Sequence, residues 1–259
     1  MGGENRLGLA QIGQVRFLAG VEYCAVLGST NDRALELARA GQVPTPYLVV
    51  AEEQTAGRGQ GSNRWWTGQG SLAFSLLLGD ESLPAARSAR QMTALAAALA
   101  IVEVVARRLT GREVGLRWPN DVYCEQRKLA GILVEVLPDG RQVLGIGLNV
   151  NNTLTDAPPE LQQCVATLRD LTDQTHDRTA VLVELLGCLR EKLAMLNADP
   201  AAVAAEADRL CLQRSQVLRV QAGDRLIEGE CGGIAADGAL RLKTSQGWQA
   251  VYSGTVLRG

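Results

Sequence analysis

The chain has 259 residues, 46% of them hydrophobic, which is enough for one large domain or for a main domain with a small second one. Its 26 basic and 28 acidic residues give a net charge of −2, which excludes a global attraction to nucleic acid or to an anionic membrane. The six cysteines are scattered without a CxxC pair and His176 is the only histidine, so we expect reduced thiols in a cytoplasmic protein, no zinc site and no histidine-assisted nucleophile.

The first elements alternate strand and helix. Apolar alternation predicts a strand at Val21 to Leu27, and the polar turn GSTN then leads into a helix over NDRALELARA that Gly41 ends. Two further strands, Tyr47 to Ala51 and Leu72 to Leu78, are predicted on either side of a glycine-rich segment. That segment is therefore anchored at both ends.

The central part predicts one long helix and then a meander of strands. Alanine and leucine dominate Ser88 to Leu109, which is typical of a buried helix. Strands follow at Val114 to Trp118, Leu129 to Leu137 and Gln142 to Leu148, with a hairpin around Glu125 to Arg127.

The last third predicts two helices and a change of architecture. Asp177 caps a helix through Met195, and Asp199-Pro200 opens another through about Leu210. From Val217 onward, short strand-like pieces separated by glycine turns are typical of a small β-barrel. We therefore predict an α+β fold, with a mixed sheet and packed helices over residues 1–212 and a small β domain over residues 213–259.

The most informative segment is TAGRGQGSNRWWTGQGS, from Thr55 to Ser71. Its five glycines, two arginines and two adjacent tryptophans suit a loop that approaches a ligand closely, grips an anion and covers a ring. It matches neither the P-loop nor the dinucleotide-binding pattern. The alternative is a flexible solvent loop, because glycine, serine and asparagine also favour disorder.

Polar residues also cluster where predicted strands begin or end. RWPND, from Arg117 to Asp121, delivers a cation, an amide and a carboxylate, although Pro-Asn-Asp is also ordinary turn chemistry. Lys128 enters a strand beside that cluster and would stabilise charge on a phosphoryl oxygen, but a lone lysine is usually a solvated surface residue. GIGLNVN places Asn149 at another strand end, and its glycines are equally consistent with tight packing.

Taken together, the motifs GSTN, QTAGRG, RWPND, RKLAG and GIGLNVN resemble, in order and spacing, the catalytic core of the biotin protein ligase family. The resemblance covers roughly residues 21 to 170, and the SGTVLRG ending looks like the family's SH3-like C-terminal domain. It implies a class II synthetase-like catalytic domain. The segment before residue 21 is too short for the winged helix-turn-helix of some members, so we expect a form without the DNA-binding domain.

The resemblance implies a biotin–[biotin carboxyl-carrier protein] ligase. Such an enzyme forms biotinyl-5′-AMP and pyrophosphate from biotin and ATP, with Mg²⁺ accompanying ATP, and a lysine of the carrier protein then attacks the mixed anhydride. The expected partners are biotin, ATP and the biotin carboxyl carrier protein of acetyl-CoA carboxylase, with no DNA or membrane. The sequence does not decide the oligomeric state. Family members often pair through the central sheet, so a homodimer is one alternative.

Three groups of site residues follow from the resemblance, with no protein side chain assigned as a metal ligand. The catalytic residues are Lys128, Arg58 and Asp121. The biotin-binding residues are Ser29, Thr30, Asn31, Gln54, Gly57, Arg58, Gly59, Lys128 and Gly131. The nucleotide-binding residues are Trp65, Arg64, Arg117, Asn120 and Asn149, with Trp65 favoured over Trp66 for covering adenine.

The glycine-rich segment departs from the family pattern. Many members have GRGR followed by Gly-Arg and then Trp, whereas this chain has Gln60 at the second arginine position and Ser62-Asn63 in place of Gly-Arg. We therefore expect this protein to hold its adenylate less tightly than members with all the arginines. Lipoate ligases and octanoyl transferases of the same superfold, and a non-catalytic biotin or nucleotide sensor, remain alternatives; a DNA-binding repressor lacks a segment to bind with.

Overall fold

The structure, a computed structural model, describes residues 6–41, 43–86 and 88–257. The larger of its two sheets contains seven strands in the described part of the chain. These strands are β1 (Gly20–Leu27), β2 (Tyr47–Gln54), β3 (Leu72–Leu78), β4 (Val114–Arg117), β5 (Asp121–Cys124), β6 (Arg127–Val136) and β7 (Gln142–Leu148). Their order is β1-β2-β3-β7-β6-β5-β4, and β1 pairs with β2 in parallel while the other neighbours are antiparallel.

Helices pack on this sheet, and they precede, interrupt or follow its strands in the chain. They are α1 (Leu9–Gly13), α2 (Thr30–Ala40), α3 (Thr93–Ala106), α4 (Pro159–Gln162), α5 (Leu168–Thr172), α6 (Arg178–Ala198) and α7 (Pro200–Arg209). The α2 helix makes the crossover between the parallel strands, and its residues Ala34 and Leu37 belong to a small apolar cluster with Val49, Leu77 and Val143 of the sheet. The α2 helix therefore packs against one face of the sheet.

The α3 helix is the centre of the main core. Apart from Ala94 and Glu103, which are partly exposed, the helix is buried between Thr93 and Val105, and it contacts α6, α7 and the sheet. The stretch Ala89–Ala106 is long and apolar enough to cross a membrane, with a mean hydropathy of 1.5, but 72% of it is buried inside the protein. It therefore has the burial of a core helix.

A second, antiparallel sheet closes the chain. Its strands, in the order β11-β10-β9-β8-β12, are β8 (Val217–Ala222), β9 (Arg225–Ile234), β10 (Leu240–Thr244), β11 (Gly247–Val251) and β12 (Thr255–Leu257). The prediction of a mixed sheet with packed helices and a closing β region is confirmed. The boundary near residue 212 falls between α7 and β8 and, like the SH3-like barrel, stays a prediction.

Most predicted elements are present, with shifted ends. The predicted helix Ser88 to Leu109 is a 3₁₀ turn at Ala89–Met92 followed by α3, which ends at Ala106. No side chain caps that helix at its N-terminus, so the usual sequence signal for its start is missing. The predicted strand Val114 to Trp118 ends one residue early, before the cis Trp118-Pro119 bond.

The β5–β6 hairpin brings Lys128 into the sheet. Glu125 and Gln126 form its turn with φ values of 48° and 69°, the positive pair that a tight two-residue hairpin requires. Consequently β6 begins at Arg127, two residues earlier than predicted. Lys128 is therefore a strand residue with a fixed backbone.

Trp118 joins the two sheets. Its backbone N–H donates to Oε1 of Gln213 at 2.7 Å, and its indole Nε1 donates to the carbonyl of Gly238 at 3.1 Å. The neighbouring backbone is also paired, since Leu116 accepts from Leu212 and donates to Leu210. The RWPND strand end is thus attached directly to the closing β region.

We predict that Gln213→Ala lowers the free energy of unfolding by about 1–3 kcal/mol, because it leaves the buried Trp118 N–H without its acceptor. Gln216→Ala is the control, because the hydrogen bond from the Gln216 side-chain amide to the Leu212 carbonyl is exposed. Urea denaturation measures both variants, and equal midpoints would contradict this role of Gln213.

Candidate active site

The predicted site residues converge on one cleft of about 930 Å³. Its floor is the face of β6 and β7, its walls are the N-terminus of α2 and the segment between β2 and β3, and residues of β8 and β12 stand at its outer side. Every residue predicted for the site lines this cleft except Gly57. The lining members are Ser29, Thr30, Asn31, Gln54, Arg58, Gly59, Arg64, Trp65, Arg117, Asn120, Asp121, Lys128, Gly131 and Asn149.

One end of the cleft, which we call the α2 end, is a hydrogen-bonded polar network. Ser29 caps α2 by accepting from the backbone N–H of Asp32 at 3.4 Å. Gln54 Oε1 accepts from both the backbone N–H and the hydroxyl of Thr30, at 2.8 and 3.1 Å, while Nε2 donates to Thr67 at 3.1 Å. The helix start and β2 are therefore held in one arrangement.

Asn31 extends this network across the sheet. Its Oδ1 accepts from the hydroxyl of the buried Ser75 at 2.6 Å, and its Nδ2 donates to Oε2 of Glu135 at 2.9 Å. Asn31 Oδ1 also occupies the space that a side chain at Gly145 would need. Asn31 thus lies directly on the sheet because Gly145 leaves room.

The segment between β2 and β3 folds over the cleft as a short hairpin, which we call the lid (residues 57–65). The backbone N–H of Trp65 donates to the Gly57 carbonyl at 3.0 Å, and that of Gly59 donates to Asn63 at 2.8 Å. A Cβ on Gly57 would lie 2.5 Å from the Trp65 carbonyl oxygen, and Gly61 turns the tip with a φ of 64°. Gly57 therefore closes the base of the lid, which is why it does not line the cleft.

Trp65 lies on the sheet floor. Its ring fills the space above Gly131 and Gly147, which are cross-strand partners on β6 and β7. The indole Nε1 is buried with no hydrogen-bond partner in the described part of the chain. Trp66, in contrast, packs on Gly68. The two tryptophans thus have different surroundings, and the assignment of Trp65 to adenine stays a prediction.

Lys128 and Asp121 form an ion pair at the other end of the floor, which we call the lysine end. Their Nζ and Oδ1 atoms are 2.7 Å apart, and Lys128 Nζ is 5.7 Å from the centre of the Trp65 ring. The Lys128 side chain folds towards Gly131, whose Cβ would lie 3.2 Å from its Cε. The ammonium is therefore fixed inside the cleft, which removes the interpretation of Lys128 as a solvated surface lysine.

The remaining nucleotide-binding candidates lie around the lysine end, except for Arg64 in the lid. Arg117 stacks over Tyr123 at 4.1 Å and hydrogen bonds Gln126. Asn120 donates through its amide to the Ile132 carbonyl at 2.6 Å, so this contact orients the strand end. Asn149 is buried, with its Oδ1 accepting from Asn152 at 3.1 Å. Arg64, across the lid from Arg58, lies at the exposed rim.

Arg58 lies at the α2 end. Its Nη1 is 2.5 Å from Oδ1 of Asp32 and its Nη2 is 2.8 Å from Oε1 of Glu135. The hydrogen bond to Asp32, with a smaller contribution from Glu135, raises the pKa of Arg58 against the opposing effect of burial. A role for Arg58 beside Lys128 stays a prediction, and it would require the guanidinium to leave both carboxylates.

His176 has no place in the cleft. Its ring contacts the hydroxyl of Thr172, and its backbone N–H and carbonyl both hydrogen bond to the side-chain amide of Asn151. Burial lowers the pKa of His176. Within the described ranges, no three His, Cys, Asp or Glu side chains are grouped to hold a metal ion.

Comparison with known proteins identifies the family. The model of the biotin/lipoate A/B protein ligase family matches residues 23–151. Over 92% of its length the chain is 31% identical to the bifunctional ligase/repressor BirA of Bacillus subtilis, covering 73% of that protein. Over a similar span it is 33% identical to a biotin–[acetyl-CoA-carboxylase] ligase of Mycobacterium tuberculosis, covering 88% of it. The chain belongs to the biotin/lipoate A/B protein ligase family.

A solved structure of this family has the same fold. The biotin protein ligase from Aquifex aeolicus in complex with biotin and ATP superposes with a TM-score of 0.80 at 26% identity, covering 93% of this chain and 99% of that one. The superposition covers 93% of this chain, so it includes most of the closing β region, which lies beyond the residues that the family model matches.

Several residues of this family member's cleft were missed by the sequence interpretation. Ser75 lies inside an unbroken apolar strand, so it resembled a packing position. Glu135 and Asp32 resembled solvent-facing charges. Thr67 was within the glycine-rich segment but carried no recognisable pattern. Only the three-dimensional contacts with Asn31, Arg58 and Gln54 identify them.

We predict that Gly145→Ala destabilises the protein by about 1–3 kcal/mol, because the new methyl group and the Asn31 amide need the same space. Gly187→Ala on α6 meets nothing within 4 Å and should stabilise by about 0.5–1 kcal/mol through a better helix propensity. Thermal and urea unfolding measure both changes. Destabilisation by both, or by neither, would contradict the close contact at Gly145.

Proposed function

We propose that the chain is an ATP-dependent biotin–protein ligase that forms biotinyl-5′-AMP and transfers biotin to a lysine of a biotin carboxyl carrier protein. The observation that carries this proposal is a single cleft with a polar network at the α2 end and the fixed Lys128–Asp121 pair at the lysine end. The names of similar proteins support it, since one is a biotin–[acetyl-CoA-carboxylase] ligase and another is a biotin protein ligase in complex with biotin and ATP.

The α2 end suits the ureido ring of biotin. That ring offers two N–H donors and one carbonyl acceptor, and the hydroxyls of Ser29, Thr30 and Ser75 both donate and accept. The amides of Asn31 and Gln54 supply the remaining donors and acceptors. This polar end favours biotin over lipoate or octanoate, whose apolar chain ends offer no hydrogen-bonding group to these side chains.

The lysine end suits the adenylation step. A carboxylate oxygen of biotin attacks the α-phosphorus of ATP, the bond to the β-phosphate oxygen breaks, and pyrophosphate leaves with the electron pair. The Lys128 ammonium, which Asp121 holds, attracts both anions and stabilises the charge that builds on the phosphoryl oxygens. ATP enters with Mg²⁺, whose ligands are mainly phosphate oxygens and water.

Transfer then needs protection from water. The neutral amine of the acceptor lysine attacks the acyl carbon of the mixed anhydride, and the bond from that carbon to the phosphate oxygen breaks. AMP leaves with the electron pair, and the new amide nitrogen releases its extra proton to solvent. The lid and Trp65 cover the inner cleft, while Val217 and Leu257 add apolar surface at its outer side. We place this reaction in the cytoplasm, and pairing of two copies stays a prediction.

Lys128→Ala should lower biotin-dependent pyrophosphate–ATP exchange by about 10²–10³-fold while the protein stays folded, because the charge at the α-phosphate loses its partner. The exposed Lys243 on β10 provides the control variant Lys243→Ala. Unchanged exchange in Lys128→Ala would remove Lys128 from the mechanism, and exchange that requires lipoate instead of biotin would overturn the substrate.

Because Gln60 stands at the second arginine position of the lid, we predict that this protein releases its adenylate faster than members with all the arginines. Gln60 lines the cleft at the lid tip, and Gln60→Arg should slow release of biotinyl-5′-AMP by about five- to ten-fold through a charge-assisted contact to phosphate. Gln11→Arg adds the same charge on α1, outside this cleft. Filter binding of labelled adenylate gives the off-rates, and equal rates for Gln60→Arg and wild type would sink the idea.

A further inference from the structure

Arg58 is held by two carboxylates that belong to different elements. Asp32 lies in the first turn of α2 and Glu135 near the end of β6, and the guanidinium bridges them through Nη1 and Nη2. Nη1 also contacts Oε2 of Glu135 at 3.1 Å, so the Arg58–Glu135 pair is bidentate. Bidentate pairs fix orientation as well as distance.

This position separates Arg58 from the reacting end of the cleft. The Lys128 side chain folds towards Gly131, and the four residue steps from Gly131 to Glu135 span roughly 13 Å along β6. In its ion pairs Arg58 is therefore held towards the α2 end, away from Gly131 and Lys128. In this arrangement Arg58 acts where the ring of biotin would lie.

Glu135 has a second contact that the proposed biotin site uses. Its Oε2 accepts from Nδ2 of Asn31 at 2.9 Å, and Asn31 in turn contacts Ser75 on the sheet. One carboxylate therefore orients an amide of the α2 end and also holds the base of the lid. A change at either contact is transmitted to the other through Glu135.

We propose that Glu135, with Asp32, is a positioning residue that clamps the lid over biotin through Arg58, so that Arg58 anchors the lid and does not touch the reacting atoms. This inference rests on the proposed function, because it names the residues that hold the same site closed. The clamp is partly exposed, with 40% of the Arg58 and 23% of the Glu135 side chain accessible, so it releases readily when ligand enters or leaves.

The test is a double-variant cycle of Glu135→Gln and Arg58→Gln. Glutamine at 135 keeps an oxygen for Asn31 but removes the charge that holds Arg58. Each single variant should raise the biotin KM and the adenylate off-rate by about five-fold, with a smaller change in kcat. The double variant should be no worse than either single one, because both remove the same contact.

Matched controls come from an equivalent cluster outside the cleft. Arg107 also bridges two carboxylates, those of Glu103 and Glu184, each at 2.6 Å. Arg107→Gln and Glu184→Gln therefore remove the same chemistry from the α3–α6 surface and should leave biotin KM unchanged.

Hydrogen exchange of residues 55–66 in the ligand-free protein separates the clamp from the proposed function. Faster exchange in Glu135→Gln and Arg58→Gln, but not in the controls, supports the clamp even if the protein fails to bind biotin. Two results would overturn it: unchanged lid exchange in both variants, or Glu135→Gln binding biotin as tightly as wild type while Arg58→Gln binds weakly. The second result would place Arg58 on the ligand.

Discussion

Gly131 and Gly147 are paired across β6 and β7, and neither carries a side chain that would fill the cleft. The Trp65 ring rests on this bare backbone, and Gly145 makes the same allowance for Asn31. A sheet buried on both faces normally presents branched side chains that pack against the next layer. Here their absence along one line turns the middle of the sheet into the floor of a binding site.

The two ends of that floor use charge in different ways. Lys128 meets one carboxylate, so the pair is neutral and the ammonium keeps further donors for anions. Arg58 meets two, which leaves a local excess of negative charge at the α2 end. An anionic reactant is therefore directed towards Lys128, while the opposite end suits a neutral ring.

The sequence predicted the bounds of those elements that turn residues or glycine flank on both sides. β3 and β7 have the predicted bounds because turns and glycine flank each apolar run, whereas α3 starts without a capping residue and was placed too early. The residues predicted from the motifs line the cleft except for Gly57, whereas Ser75 and Glu135 were not predicted at all. Each is recognisable only by its partner, and partners such as Glu135 and Asn31 are 104 residues apart in the chain. Local patterns carry no information about such pairs.

Trp118 connects the closing β region to the cleft. The apolar residues of the second sheet, such as Leu240 and Val251, belong to the same continuous core as α3. Trp118 spans that core one residue away from Arg117, which lines the cleft. The described strands of this region therefore share one core with the strand end that lines the cleft. Replacing this region with an unrelated one would therefore also disturb the strand end that carries Arg117 into the cleft.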